Sequence, residues 1–182
     1  GIVDKSVIIE KFTLKSPLKD LRMNFNRLIE PEGGDVDITK QNILISVGRG
    51  IQDKDKIELA VELAQLLGGV VSASRPVIDQ GWLPLSRQVG KSGMTVNPKL
   101  YLALGVSGAP EHVEGMKGAK LIISINTDSK APIFDISHYG ICTDIFEILP
   151  QLHLYSKGVH LLIYFLLNNL HPFFLKKDSI YS

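Results

Sequence analysis

The residues with the most chemistry to offer follow short apolar runs. In Ser107-Gly108-Ala109-Pro110-Glu111-His112 the small residues let backbone N–H groups approach a phosphate, Pro110 suits an early helical position, and His112 falls on the first turn. A pyrophosphate or a carbonyl would sit well there, and a tight strand-to-helix turn with a surface histidine would give the same pattern. Gly90-Lys91-Ser92-Gly93 is a flexible, donor-rich loop, but it lacks the spacing of a P-loop and follows no clear strand. Arg49 and Arg75 each come just after an apolar run, where a guanidinium can serve a phosphate, lie over an aromatic ring, or pair with a surface carboxylate. Asp144 reads first as a helix cap. His112 and His138 have no ligand array around them, and Cys142 is the chain's single cysteine, so neither a metal cluster nor an internal disulfide is expected.

These residues need a scaffold, and the 182-residue chain is long enough for one good core with appendages. Its 45% hydrophobic content describes a folded protein, and a net charge of +1 with interleaved signs offers no basic field for nucleic acid or an anionic membrane. No secretory signal opens the sequence, and Gly1 in place of an initiator Met reads as a processed chain or a fragment. Residues 1–41 are charged and broken by Pro17, Pro31 and Gly33-Gly34, with one possible strand at Val7-Ile8-Ile9; they read as a lead-in or linker. Residues 42–152 alternate apolar runs with glycine turns and helical periodicity, as in an open α/β sheet. Strands are expected at Ile43 to Val47, from Val70, at Leu100 to Leu104 and at Leu121 to Ile125. A helix carrying Ile57, Ala60, Val61, Ala64 and Leu67 should end at Gly68-Gly69, with Asp53 and Asp55 favouring its positive end. In such sheets ligands bind beyond the carboxyl ends of the strands. Residues 153–182 form an apolar tail out of character with the rest. Its run from Leu161 to Leu167 is well short of the about 20 residues a membrane span needs.

Taken in order, the motifs of the middle region carry a resemblance. They are Ser46-Val47-Gly48-Arg49-Gly50, Ala73-Ser74-Arg75-Pro76-Val77-Ile78-Asp79-Gln80-Gly81-Trp82, Arg87-Gln88-Val89-Gly90-Lys91-Ser92-Gly93, Pro98-Lys99-Leu100-Tyr101, Gly105 to His112, Gly115-Met116-Lys117, Ile125-Asn126-Thr127-Asp128, Ala131-Pro132-Ile133-Phe134, Tyr139-Gly140 and Asp144-Ile145-Phe146. The block from Ile43 to Pro150 resembles the C-terminal FAD domain of the electron-transfer flavoprotein α subunit, or FixB, family. The resemblance implies an α/β fold with an open, mostly parallel Rossmann-like sheet flanked by helices. It also implies an FAD cofactor and an electron carrier rather than a substrate-converting enzyme. By the same resemblance Arg49 and Ser74 help hold the pyrophosphate and ribityl region, and Arg75 lies near the flavin ring and favours its reduced form. Ser92, where the family commonly has threonine, is expected near flavin N5, and His112 near the C2 carbonyl. Gln88 and Val89, with Gly90 and Lys91, line the flavin-side loop; Ser107, Gly108, Ala109, Pro110 and Glu111 form the loop leading to His112. Asn126, Asp144 and Ile145 belong toward the adenosine end.

The family's α subunit works with a β subunit and passes electrons between a dehydrogenase and an acceptor such as a quinone oxidoreductase, in the cytoplasm or the mitochondrial matrix. Against that pattern, residues 1–41 can be only the end of a missing N-terminal domain with its connecting segment. The tail from 153 onward is an unrelated appended segment or a piece that packs on the domain or a partner; no function is assigned to it. Two other classes stay open: a nicotinamide-type nucleotide-binding enzyme on a similar fold, which only a generic glycine loop supports, and a structural subunit without flavin.

Overall fold

A computed structural model of the chain describes residues 35–148 and the backbone of 174–177. The expected strand at Val7-Ile8-Ile9, the boundary at 152 and the apolar run from Leu161 to Leu167 lie outside the described residues. The four expected strands form where the apolar runs place them: β1 (Ile43–Val47), β2 (Val70–Ala73), β3 (Leu100–Leu104) and β4 (Leu121–Asn126). A fifth, β5 (Tyr139–Cys142), and an antiparallel edge strand, β6 (Phe174–Lys177), complete a sheet of order β2-β1-β3-β4-β5-β6 in which β1 to β5 run parallel.

Parallel strands need crossovers, and helices supply them: α1 (Ile57–Leu67), α2 (Arg75–Asp79), α3 (Pro110–Met116) and α4 (Ile133–Ile136). Burial of Ile57, Ala60, Leu63, Ala64 and Leu67 follows the helical period and seats α1 on one face of the sheet, with Ile145 and Ile148 in the same cluster. Asp53 accepts a bond from the Asp55 amide and shapes the turn before α1 without capping it. The opposite face is covered by Met116 of α3, Ile133 and Phe134 of α4, and Ile38 from a short turn ahead of β1. The domain is therefore an α/β fold with helices on both faces, as expected.

On this second face the register lines up one row of small residues across five strands: Ser72, Ser46, Ala103, Ser124 and Gly140. Such a row leaves room above it, and larger groups fill that room. A Cβ added at Gly140 would meet Phe134 Cδ1 at 2.6 Å, and Ser124 Oγ lies 2.6 Å from Ser137 Oγ, which donates to the Ile133 carbonyl at 2.7 Å. Tyr101 of β3, wholly buried, lies on the same face.

The order places β1 between β2 and β3, so the chain turns left after β1 and right after β2, and the two windings part between β1 and β3. This is the switch point at which open α/β sheets leave a crevice. Here the backbones following β1 and β3 touch. Gly48 N donates to Leu104 O at 2.9 Å and Gly50 N to Gly105 O at 3.1 Å. Gly105 has φ +64, and a Cβ on it would lie 2.6 Å from Gly50 Cα, so only glycine fits that approach.

Before β1, Asp35 is joined to the Arg87 guanidinium and to the Ser86 hydroxyl, while Arg87 Nη1 donates to the Val71 carbonyl of β2 at 2.8 Å. The Arg87 bonds, ahead of every other cause, hold the Asp35 carboxyl down at about 2.

Candidate functional site

Beyond the carboxyl ends of the parallel strands lies an open crevice of about 580 Å³, within the usual size of a ligand site. Arg49 and Gly50 reach it from β1, and Ser74, Arg75 and Pro76 from β2. The segment Gln88 to Ser92 forms one wall; Gly105, Val106, Ser107, Ala109, Glu111 and His112 bring in β3 and α3. Asn126, Asp128, Ala131 and Pro132 close the far side from β4. Thirteen residues singled out in the sequence therefore meet in one place: Arg49, Ser74, Arg75, Gln88, Val89, Gly90, Lys91, Ser92, Ser107, Ala109, Glu111, His112 and Asn126.

Four others stand elsewhere. Gly108 and Pro110 belong to the β3–α3 turn but not to the crevice lining, Pro110 being the first residue of α3. Asp144 Oδ1 accepts the Phe146 amide at 2.9 Å at the start of the last described helix, and Ile145 is buried in the core. In this chain's geometry those two build the fold beside the crevice.

Charge around the opening is mixed but tilted. Arg49, Arg75 and Lys91 carry three cations, against the carboxylates of Glu111 and Asp128. Arg75 pairs with Asp79 one turn along α2 at 3.3 Å, with both side chains more than half exposed. An exposed pair of that kind is worth well under about 1 kcal/mol, so the guanidinium is easily redirected to an anion in the crevice. Ser74 is buried at the start of α2 and makes no capping bond with its hydroxyl.

The Gln88–Ser92 wall is a folded loop rather than a free turn. Val89 N donates to Ala73 O at 3.0 Å, and Met94 N to Gln88 O at 2.7 Å. Lys91 N donates to Glu111 O at 2.7 Å, and the loop backbone lies so close to α3 that a Cβ at Gly115 would sit 2.5 Å from Gly90 N. Buried Gln88 sends its Nε2–H to Ser92 Oγ at 3.1 Å, which leaves the serine proton to be given to another acceptor. No strand pattern announces this wall, because it is held by isolated bridges at Ala73–Gln88 and Val89–Met94.

His112 is buried, not on the surface: it is 6% exposed, with Nε2 2.8 Å from the Tyr101 hydroxyl. Burial pulls its pKa down to about 4, opposed by the Val89 backbone, so the ring is neutral at pH 7. His138, the other histidine of interest, accepts the Ile122 amide at Nδ1 over 3.0 Å and serves β4. Asn126 spans its own turn, donating to Val106 O at 2.9 Å and accepting from Asp128 N at 3.0 Å. Among the described residues there is no cluster of three or more metal-ligating side chains, and no helix is long and apolar enough to cross a membrane.

Sequence reading missed β5 and the lining by Asp128, Ala131 and Pro132. The signal for β5 was weak because Tyr139-Gly140-Ile141-Cys142 is short and interrupted by glycine. It also missed Tyr101 as a partner of His112, since a tyrosine in an apolar run reads as core.

Residues 37–117 match the family model described as the electron transfer flavoprotein FAD-binding domain. Protein FixB of Clostridium saccharobutylicum is 40% identical over 83% of this chain, and Protein FixB of Azotobacter vinelandii 51% identical over 61%. An electron transfer flavoprotein subunit alpha of Syntrophomonas wolfei is 47% identical over 64% of it. The chain spans 45%, 31% and 37% of those three proteins' lengths, less than half of each. With that domain match and these identities, residues 37–117 belong to the electron transfer flavoprotein FAD-binding domain family, and the chain is similar to its α-subunit and FixB members.

Proposed function

We propose that the crevice binds FAD and that the chain is part of an electron-carrying α subunit. The observation that carries this reading is the convergence, at the switch point of the sheet, of the thirteen residues on which the family resemblance bears, with three cations at the opening. The donor set suits a dinucleotide with a redox ring. Arg49 and the hydroxyls of Ser74 and Ser107 are the groups for the pyrophosphate and ribityl chain. Ser92 Oγ accepts from Gln88, which leaves its own O–H to donate a hydrogen bond to a ring nitrogen. Arg75 supplies a movable positive charge beside a ring that becomes more negative on reduction. FAD, when bound, supplies the electron-accepting and electron-donating chemistry, and the chain's own residues fix its position, potential and exposure.

The complete carrier in this reading includes a β subunit and exchanges electrons with a dehydrogenase on one side and an acceptor such as a quinone oxidoreductase on the other. Two relatives fit that role by name: the acryloyl-CoA reductase electron transfer subunit beta of Anaerotignum propionicum and the lactate dehydrogenase (NAD(+),ferredoxin) subunit LctC of Acetobacterium woodii. The absorption spectrum of the purified chain tests the cofactor. A yellow protein that releases FAD on denaturation, or a colourless one that turns yellow with added FAD, supports the reading. A chain that stays colourless after reconstitution overturns it.

A further inference from the structure

Beneath the crevice, on the small-residue face of the sheet, lies a polar group of four side chains. Tyr101 projects from β3, Ser46 and Ser72 are register partners on β1 and β2, and His112 comes down from α3. All four are buried, and the tyrosine and histidine rings meet edge-on with centroids 6.2 Å apart and planes at 62°. The Tyr101 hydroxyl is 2.8 Å from Nε2. Neither serine hydroxyl has a hydrogen bond of normal length and angle, and neither does His112 Nδ1. Buried polar atoms in that condition call for an explanation.

The direction of each proton can be worked out from what the neighbours have left to offer. The group on which both serine hydroxyls act is the Tyr101 phenol. Both hydroxyls act to favour a negative phenol oxygen, as donors do, while burial pushes the Tyr101 pKa up and keeps the phenol protonated. With its lone pairs facing two donors, the phenol has its own proton to give, and Nε2 is there to take it. The Val89 backbone also favours the protonated ring. Val89 N–H is committed to Ala73 O, so the Val89 group that can act this way is its carbonyl, which calls for a ring N–H.

We propose that Tyr101 is a positioning residue for His112: its hydroxyl, backed by Ser46 and Ser72, donates to Nε2 and fixes the neutral imidazole as the Nδ1–H tautomer. Tyr101 does not touch the crevice and acts through His112. The site then presents a neutral, oriented histidine, and the positive charge next to the ligand is left to Arg75. The role toward flavin rests on the FAD reading above; the tautomer does not.

The test uses the full chain without flavin, so it is independent of cofactor binding. Long-range ¹H–¹⁵N correlation spectra at pH 7, with His112 assigned by loss of its signals in His112→Gln, report which ring nitrogen carries the proton. The expected result is Nδ1–H in the parent chain. Tyr101→Phe should change the ratio of tautomers about fivefold toward Nε2–H, the equivalent of one buried hydrogen bond of about 1 kcal/mol. Nε2–H in the parent chain overturns the proposal, and so does an unchanged ratio in a folded Tyr101→Phe chain. If that variant does not fold, the parent spectrum decides alone. A chain that shows Nδ1–H yet never takes up FAD keeps this inference and sinks the cofactor reading.

Discussion

Two glycines with nearly the same backbone conformation differ in what surrounds them, and the difference can be measured. Gly68, the cap that ends α1, has φ +70 and open space where a Cβ would go; Gly105 has φ +64 and the Gly50 backbone there, with Cα at 2.6 Å, C at 2.8 Å and N at 3.1 Å. Replacing either with alanine places an L-residue in the left-handed region, at about 1–2 kcal/mol. At Gly68 that is the whole cost. At Gly105 the methyl must also displace main chain, which cannot rotate away as a side chain can, and the two segments are tied by the Gly50 N to Gly105 O bond. Overpacking adds about 1–3 kcal/mol, so Gly105→Ala should destabilise by about 2–5 kcal/mol against about 1–2 for Gly68→Ala. Urea denaturation followed by far-ultraviolet circular dichroism gives both values on one scale. If the two variants lose the same stability within about 0.5 kcal/mol, the contact between the ends of β1 and β3 is not a steric one, and the account of the switch point fails.

Arg75→Ala should lower the flavin midpoint potential by on the order of tens of millivolts while FAD remains bound, as removal of a nearby cation from a ring that gains negative charge requires; an unchanged potential in spectroelectrochemical titration removes Arg75 from that role. Acid should destabilise the domain in two stages. His112 has a folded pKa near 4, below its ordinary 6.5, so the unfolded chain binds the proton more readily and stability falls from about pH 6.5 to 4. Asp35, held near 2 against an ordinary 3.8, contributes stability that is present above about pH 4 and lost as pH falls to about 2. Its share is under about 1 kcal/mol, because Asp35 is an exposed residue and water screens the pair. Asp35→Asn should abolish the lower stage and leave the upper one; a variant whose acid profile matches the parent below pH 4 refutes the assignment.

The parts of this fold that could be read from the sequence are those whose residues behave alike wherever they occur. β1 is apolar but for Ser46, and β3 is an unbroken apolar run, Leu100 to Leu104, buried at every position, so no alternation had to be deciphered. α1 declared itself by period and by Gly68. The crevice residues were legible because they sit in motifs, and motifs hold the local geometry of a loop. What stayed hidden depends on distance in sequence. Tyr101 finds His112 only because a row of small side chains leaves room above β1 to β5, and no window along the chain contains that row. Asp144 was legible from its residue type alone: it reads as a helix cap, and its carboxylate accepts the Phe146 amide at the start of a helix.

The clasp between Asp35 and Arg87 joins the approach to β1 to the residue just before Gln88. Through the guanidinium, the clasp reaches the edge strand β2 and the root of the wall that holds Gln88 and Ser92. The stem that carries Arg87 thus serves both the approach to β1 and one side of the crevice, so a substitution that loosens the clasp also loosens the groups that would touch the ligand.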